Sequence, residues 1–441
     1  MHHRDEALIA LTHVCREWRE LFISHSSLWA SFDCENAYRT RLCLERSKTS
    51  PINLSLYRCC YLPPDDPFFQ IIPHAIERLK SLTFTGFPDV LEDTIASLSH
   101  PAPLLEEITV AGYPDMYGPE QNPVLTSPLF DGDLPLLRKL HLGSVCTELP
   151  WRDMVNLRSF ALAHMSVSVG HLLDFFNSAP FLREVELCST TPTSGVHNRP
   201  LVSLRCLEKM VIEGNKPPSL LLDHLLIPPG AGLTTQATFL TCTIEDLLPR
   251  SLDNLRNIPD FTTVKLSADK DLRMEFSGPN GQLNMVYLEP QGDLTSLMFE
   301  ALSRFDTSKT ERLKIDCGSS PSSGPPYRVL LPMESLRSLT LSQCKTPRLF
   351  IDALRPRKVN ETPMVCPILE ELSIDGEAFN IQCVIERRQG RREEHNSSLL
   401  RSSPSMDLGI RRPMRWNSGN ASCTRNSDGA NDDGDGRDVG D

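Results

Sequence analysis

From Arg78 onward the chain repeats one short arrangement: an apolar residue, two polar ones, an apolar residue, one variable residue and a further apolar residue. Leu79-Leu82-Phe84, Leu105-Ile108-Val110, Leu137-Leu140-Leu142, Leu157-Phe160-Leu162, Leu182-Val185-Leu187 and Leu207-Met210-Ile212 carry it. Phe261-Val264-Leu266, Leu283-Val286-Leu288, Leu336-Leu339-Leu341 and Leu369-Leu372-Ile374 carry it again. Leu313-Ile315 is a weaker copy, with Thr310 in the first place, and a degenerate copy falls around Ala237-Phe239. The last two apolar positions are two residues apart, so both project to one face of a strand. One such unit cannot bury that face, whereas units stacked side by side can. Each buried Leu or Ile then contributes roughly 1.5–3 kcal/mol, and the sum over many units can drive folding of the array.

Motif and spacing, at intervals of about 20–30 residues, are those of leucine-rich repeats. Short apolar-periodic stretches between the strands, Asp89–Leu98, His171–Asn177, Ser219–Leu226 and Leu294–Phe305, read as helices. The expected fold class is therefore α/β: a right-handed leucine-rich-repeat-type solenoid over residues 78–383, with its strands on the concave side. In each strand the residue between the last two anchors points away from the core. Read in order these are Thr83, Thr109, His141, Ala161, Glu186, Val211, Lys265, Tyr287, Lys314, Thr340 and Ser373. The row is mixed in polarity. His141, Glu186, Lys265, Tyr287 and Lys314 are its candidates for contacting a polar or acidic target.

Ahead of the array lies a different pattern. Leu8, Leu11, Cys15, Trp18 and Phe22 are spaced three and four apart, which puts them on one stripe of a helix. Arg16, Glu17, Arg19 and Glu20 fall on its other side. Ser26-Ser27 then breaks the helix before Leu28-Trp29, so the second Trp belongs to a separate short element. Val14-Cys15-Arg16-Glu17-Trp18-Arg19 followed by Ser27-Leu28-Trp29 resembles the second half of an F-box, and more narrowly the F-box proteins of mushroom-forming fungi. Leu42-Cys43-Leu44-Glu45-Arg46-Ser47 and the alternating strand Ile52-Leu54-Leu56 extend the likeness. The Leu-Pro pair and isoleucine- and leucine-rich helix that open an F-box have no counterpart between Met1 and Val14. The resemblance implies a partial F-box over 1–36, with Val14, Cys15, Trp18, Leu28 and Trp29 as its adaptor-binding or core residues. Residues 37–77 are then a linker helix and first strand.

Composition narrows the functional classes. The chain has 441 residues with 45 basic and 57 acidic side chains, a net charge of −12, which disfavours general nucleic-acid binding. Its 14 cysteines form no C-x-x-C pair and no zinc-ligand spacing. A polar start without an apolar h-region and the lack of a spanning apolar run place it in the cytoplasm or nucleus, with reduced thiols. Cys242 and Cys344 fall where leucine-rich repeats carry a buried structural thiol. Residues 384–441 hold the basic cluster Glu386–Arg392 and end in an acidic low-complexity run, and read as a disordered tail. No phosphate loop, nucleophile elbow, zincin helix or dinucleotide fingerprint occurs. Gly318–Gly324 lacks the Lys and helix of a phosphate loop, and Asp223-His224 has no nucleophile beside it. The expectation is a non-enzyme without cofactor or metal. By resemblance it is the substrate-recognition subunit of a cullin-based SCF-type ubiquitin ligase, with a Skp-type adaptor, a cullin and an unnamed target protein as partners. The alternative is a leucine-rich interaction scaffold, or a truncated family member, that no longer binds the adaptor.

Overall fold

The structure, a computed structural model, describes residues 2–380 except 35, 59–74, 88–90, 92–97, 99, 113–123, 126–129, 131–133, 148–153, 194–198, 239–242, 259, 289–293, 318–326, 345–346, 355–364 and 376. The chain divides into two units, Met1–Val384 and Ile385–Asp441, and every described residue lies in the first. Most of the expected helix at Asp89–Leu98, the Gly318–Gly324 loop, Cys242 and the tail lie outside the described residues.

Three helices open the chain: α1 (His2–Leu11), α2 (Arg16–Ser24) and α3 (Ala37–Ser47). One mixed α/β architecture follows, built on a 16-stranded sheet. Its strands in chain order are β1 (Ser31–Asp33), β2 (Ile52–Arg58), β3 (Leu79–Gly86), β4 (Glu107–Gly112), β5 (Lys139–Gly143), β6 (Ser159–Ala163), β7 (Glu184–Cys188) and β8 (Lys209–Gly214). Then come β9 (Gly232–Thr238), β10 (Thr263–Ala268), β11 (Leu272–Gly278), β12 (Gly281–Leu288), β13 (Arg312–Cys317), β14 (Ser338–Ser342), β15 (Glu371–Ile374) and β16 (Glu377–Asn380). Neighbours from β1 to β9 are parallel and follow chain order.

Strand anchors behave as their spacing demands. Leu82, Phe84, Ile108, Val110, Leu140, Leu142, Phe160, Leu162, Val185 and Leu187 are all buried, and the residues between them face the other side. The leading apolar residue closes a turn before each strand. Leu105 N–H donates to Ala102 O at 3.1 Å, Leu137 to Leu134 at 3.2 Å, Leu182 to Ala179 at 3.2 Å and Leu207 to Leu204 at 3.0 Å. The acceptor residues Ala102, Leu134, Ala179 and Leu204 are buried too, so these four units carry a fourth anchor three residues before the first, whereas Met154, the acceptor before Leu157, is half-buried. Past the strands, Ser144, His164, Ser189, Gln343 and Asp375 adopt left-handed φ values near +50°. That kink turns the chain away. The N–H groups of Ser144, His164 and Ser189 still reach the next strand, at Ala163 O, Cys188 O and Glu213 O. Helix α4 (Val169–Ser178) covers the apolar face, placing Phe175 and Phe176 with ring centroids 4.3 Å and 6.3 Å from Phe160. Cys344 is buried, as its place after β14 suggested.

The orderly succession breaks after β9. The chain passes over, forms β10, returns antiparallel as β11 and comes back as β12, which pairs in parallel with β9. The order in space is therefore β9-β12-β11-β10-β13. This corrects the expectation for β12. Leu283, Met285 and Tyr287 are buried, at 0 %, 0 % and 2 % exposure, while Val286 and Leu288 are only half-buried. A strand alternates with period two, so a copy anchored on Val286 and Leu288 is out of phase by one residue and every side chain changes face. Tyr287 belongs to the core and not to the exposed row.

Candidate functional site

The N-terminal stripe is not one helix. Thr12–Val14 form a turn between α1 and α2, and Cys15 is the extended N-cap of α2 (φ −154°, ψ 174°), its Sγ accepting from Trp18 N–H at 3.5 Å. Thr12 Oγ1 donates to Ile9 O at 2.7 Å, and Arg19 Nε donates to Thr12 O at 2.8 Å, so side chains satisfy backbone groups that a continuous helix would have paired. The break separates the two ends of the stripe. Leu8 is buried, while Val14, Trp18 and Leu21 are 63 %, 45 % and 53 % exposed. Helix α2 has no buried residue.

Trp29 takes a different part. It sits in the short 3-10 turn Ser26–Trp29, is 1 % exposed, and donates from Nε1 to Phe22 O at 2.8 Å. The Arg46 guanidinium of α3 lies 4.3 Å from its ring centroid, a cation–π contact. Trp29 thus ties the end of α2 to α3, and Phe32 in β1 carries the contact onto β2. Leu28 is half-buried. Of the five N-terminal candidates, Trp29 is a core residue, Cys15 a cap, and Val14 and Trp18 the exposed apolar members; Leu21 joins them.

On the sheet's exposed face, parallel register lines up the middle residues. His141 faces Ala161, Ala161 faces Glu186, and Glu186 faces Val211, which, unlike the expectation for it, is itself buried. Beyond Val211 the row runs through Thr234, Asn284 and Glu275 before it reaches Lys265, Lys314, Thr340 and Ser373. The leucine template misses Glu275 because it skips β11, Asn284 because it sets β12 one residue out of phase, and Thr234 because it places the β9 copy around Ala237-Phe239. The signal for β11 is present, since Leu272, Met274 and Phe276 alternate with Arg273 and Glu275 ahead of a Gly-Pro-Asn-Gly turn.

The candidates therefore form two separated groups. His141 and Glu186 flank Ala161, with Cys188 next along β7. The Cys188 thiol donates to Glu186 Oε1 at 3.4 Å and lies 3.8 Å from Glu213 Oε2. Burial first, and then the two carboxylates, push its pKa up to about 12. A thiol so raised is a poor nucleophile at neutral pH. Lys265 and Lys314 sit side by side, but Lys265 Nζ is paired with Glu275 Oε2 at 3.1 Å. Between the groups the face opens into a cleft of about 550 Å³, lined by Lys209, Gly232, Thr234, Ser277, Gln282 and Asn284 among others. Gly232 interrupts the row of side chains between Lys209 and Gln282, and this gap makes the floor. These are hydrogen-bonding groups without a nucleophile–base pair. No group of three or more metal-ligating side chains occurs among the described residues, and no helix there is long and apolar enough to cross a membrane. Comparison of the chain with protein-family models, curated proteins and solved structures returns no match.

Proposed function

We propose that this protein is a substrate-recognition subunit, the F-box type of receptor in a cullin-based ubiquitin ligase, with its repeats forming a leucine-rich solenoid. The observation that carries the reading is the apolar face of α2. Trp18 and Leu21 stand exposed on a helix with no fully buried residue, and Val14 is exposed in the turn just before it, ahead of a sheet whose polar face is open. Large exposed aromatic and aliphatic side chains on a fixed helix are the usual anchors of a protein interface, and truncating such a Trp typically costs 2 kcal/mol or more of binding, about a 30-fold loss. Trp29 and Arg46 hold the helix end, so the face is presented from a packed base. The chain would contribute proximity between target and ubiquitin-charged enzyme, and no bond-making step of its own.

The test is co-purification of the full chain with a Skp-type adaptor and cullin. Recovery of both, lost in Trp18→Ala and Leu21→Glu but kept in His141→Ala, is the expected result. Recovery of neither sinks the reading. The interruption at Thr12–Cys15 favours a second reading, a leucine-rich scaffold without adaptor contact, because it leaves only the nine residues of α2 as a docking helix. Affinity purification from the native cell followed by mass spectrometry separates the two.

A further inference from the structure

Each repeat enters its strand through a turn in which the first carbonyl accepts from the fourth N–H. Pro103, Pro135, Pro180, Pro229 and Pro367 hold the exposed second place in such turns, where a φ near −65° is needed and proline supplies it. Other residues fill the place in some turns, Val155 in Met154–Leu157 and Glu334 in Met333–Leu336, and in the turns on either side of Pro229 the residue is arginine. Arg205 fills the place in Leu204–Leu207, and Arg256 fills it in Leu255–Ile258.

These three turns lie side by side. Val202-Ser203 pairs in parallel with Leu225-Leu226, Ile227 bridges Leu255, and Arg256 N–H donates to Ile227 O at 3.0 Å. Adjacent passes about 4.8 Å apart set the backbones of Arg205 and Arg256 about 10 Å apart across Pro229. Both side chains line one cleft of about 460 Å³, together with Ser203, Leu226, Pro228 and Pro229. Among the described residues no acid lines that cleft, and neither guanidinium has an ion pair with one of them. Neighbouring arginines are neutralised: Arg183 by Glu208 at 2.9 Å and Arg250 by Asp223 at 3.4 Å. Two uncompensated guanidinium groups beside one cavity repel each other, and an anion between them reverses the sign of that interaction. Their forked donors match a phosphate or a carboxylate.

We propose that the Arg205–Arg256 cleft binds the phosphate- or carboxylate-bearing side chain of a target polypeptide. The apolar floor of Leu226, Pro228 and Pro229 suits the flanking residues of an extended segment. Its continuation is provided on the far side of the same Pro-Pro-Gly turn, where Lys209, Ser277, Gln282 and Asn284 line the polar cleft on the sheet face. The proposal rests on the reading of this chain as a binder of target polypeptides, and it is independent of the α2 contact.

The experiment titrates the full chain into fluorescein-labelled nine-residue peptides carrying a central phosphoserine, glutamate or serine between Leu and Pro neighbours, read by anisotropy. The phosphoserine peptide, the glutamate peptide or both bind, the serine peptide does not, and added salt weakens binding. Arg205→Ala and Arg256→Ala each cost about tenfold in Kd and together remove binding. Arg158→Ala, an exposed arginine outside the cleft, leaves Kd unchanged. Binding of the phosphoserine peptide alone identifies phosphate as the anion, binding of the glutamate peptide alone identifies carboxylate, and equal binding of both shows that the site takes either; each supports the site. Equal affinity for the serine peptide, an unchanged Kd in the double variant, or tighter binding of a single-stranded oligonucleotide overturns it. Adaptor capture is scored on the same variants. Peptide binding without adaptor capture refutes only the ligase assignment, and adaptor capture without peptide binding refutes only the anion site.

Discussion

Tyr287 and Val286 give the sharpest test of the register of β12. The leucine template makes Val286 an anchor and Tyr287 a surface residue; the structure reverses them. Tyr287 is 2 % exposed in a strand paired on both sides, facing Ala237 of β9 and Leu272 of β11, which are themselves buried. Removing an aromatic ring from such a site forfeits its transfer free energy and leaves a cavity, together about 3–5 kcal/mol. Val286 is half-buried on the exposed face, so Val286→Ala removes two methyl-sized groups already partly in water, at a cost of under about 1 kcal/mol. A long repeat array need not unfold in one step, so a single ΔG is a poor readout. The assay is amide hydrogen exchange followed peptide by peptide, with the thermal midpoint alongside. Tyr287→Ala should lose protection across β9, β11 and β12 while β3 to β6 keep theirs, and Val286→Ala should match the wild type. A larger loss from Val286→Ala than from Tyr287→Ala would falsify this register.

Gly278→Ala should also open the inserted hairpin, because a Cβ there would meet Asp260 O at 2.2 Å. Overpacking against backbone costs typically 1–3 kcal/mol, and a melt equal to wild type would show that this approach does not exist. Cys188 and Cys366 both have their pKa raised from 9.0 to about 12, Cys188 by burial and its two glutamates and Cys366 by burial alone. Because the folded values lie above the unfolded ones, this stabilisation is complete below pH 9 and is lost as pH rises towards 12. Thermal midpoints between pH 8 and 11 should therefore fall less in a Cys188→Ala/Cys366→Ala variant than in wild type; parallel curves refute it. Glu186→Gln should speed alkylation of Cys188 by iodoacetamide at pH 9, read by peptide mass spectrometry, since it removes a charge that opposes the thiolate. The Lys265–Glu275 pair is exposed on both sides, so Lys265→Ala should change stability by less than about 1 kcal/mol; a larger loss in a chemical melt would mean that the pair is shielded from solvent.

The regular part of the fold was legible because its signal is local and repeated. Anchors such as Leu140-Leu142 and Val185-Leu187 declare a strand face by themselves, and stacking is the way to bury many such faces at once. Tertiary structure decided what depends on neighbours distant in sequence. Whether Leu8 to Phe22 is one helix or two turned on Thr12 and Arg19 diverting backbone bonds. Whether Trp29 docks a partner or the chain's own α3 turned on Arg46, seventeen positions away in sequence. The position of β11 between β10 and β12 put Glu275 beside Lys265 and moved Tyr287 into the core, although its own alternation was readable. Arg205 and Arg256 look like isolated surface charges along the chain. Only the lateral stacking of turns brings them to one cleft, because charge acts through distance in space and a linear pattern records only order.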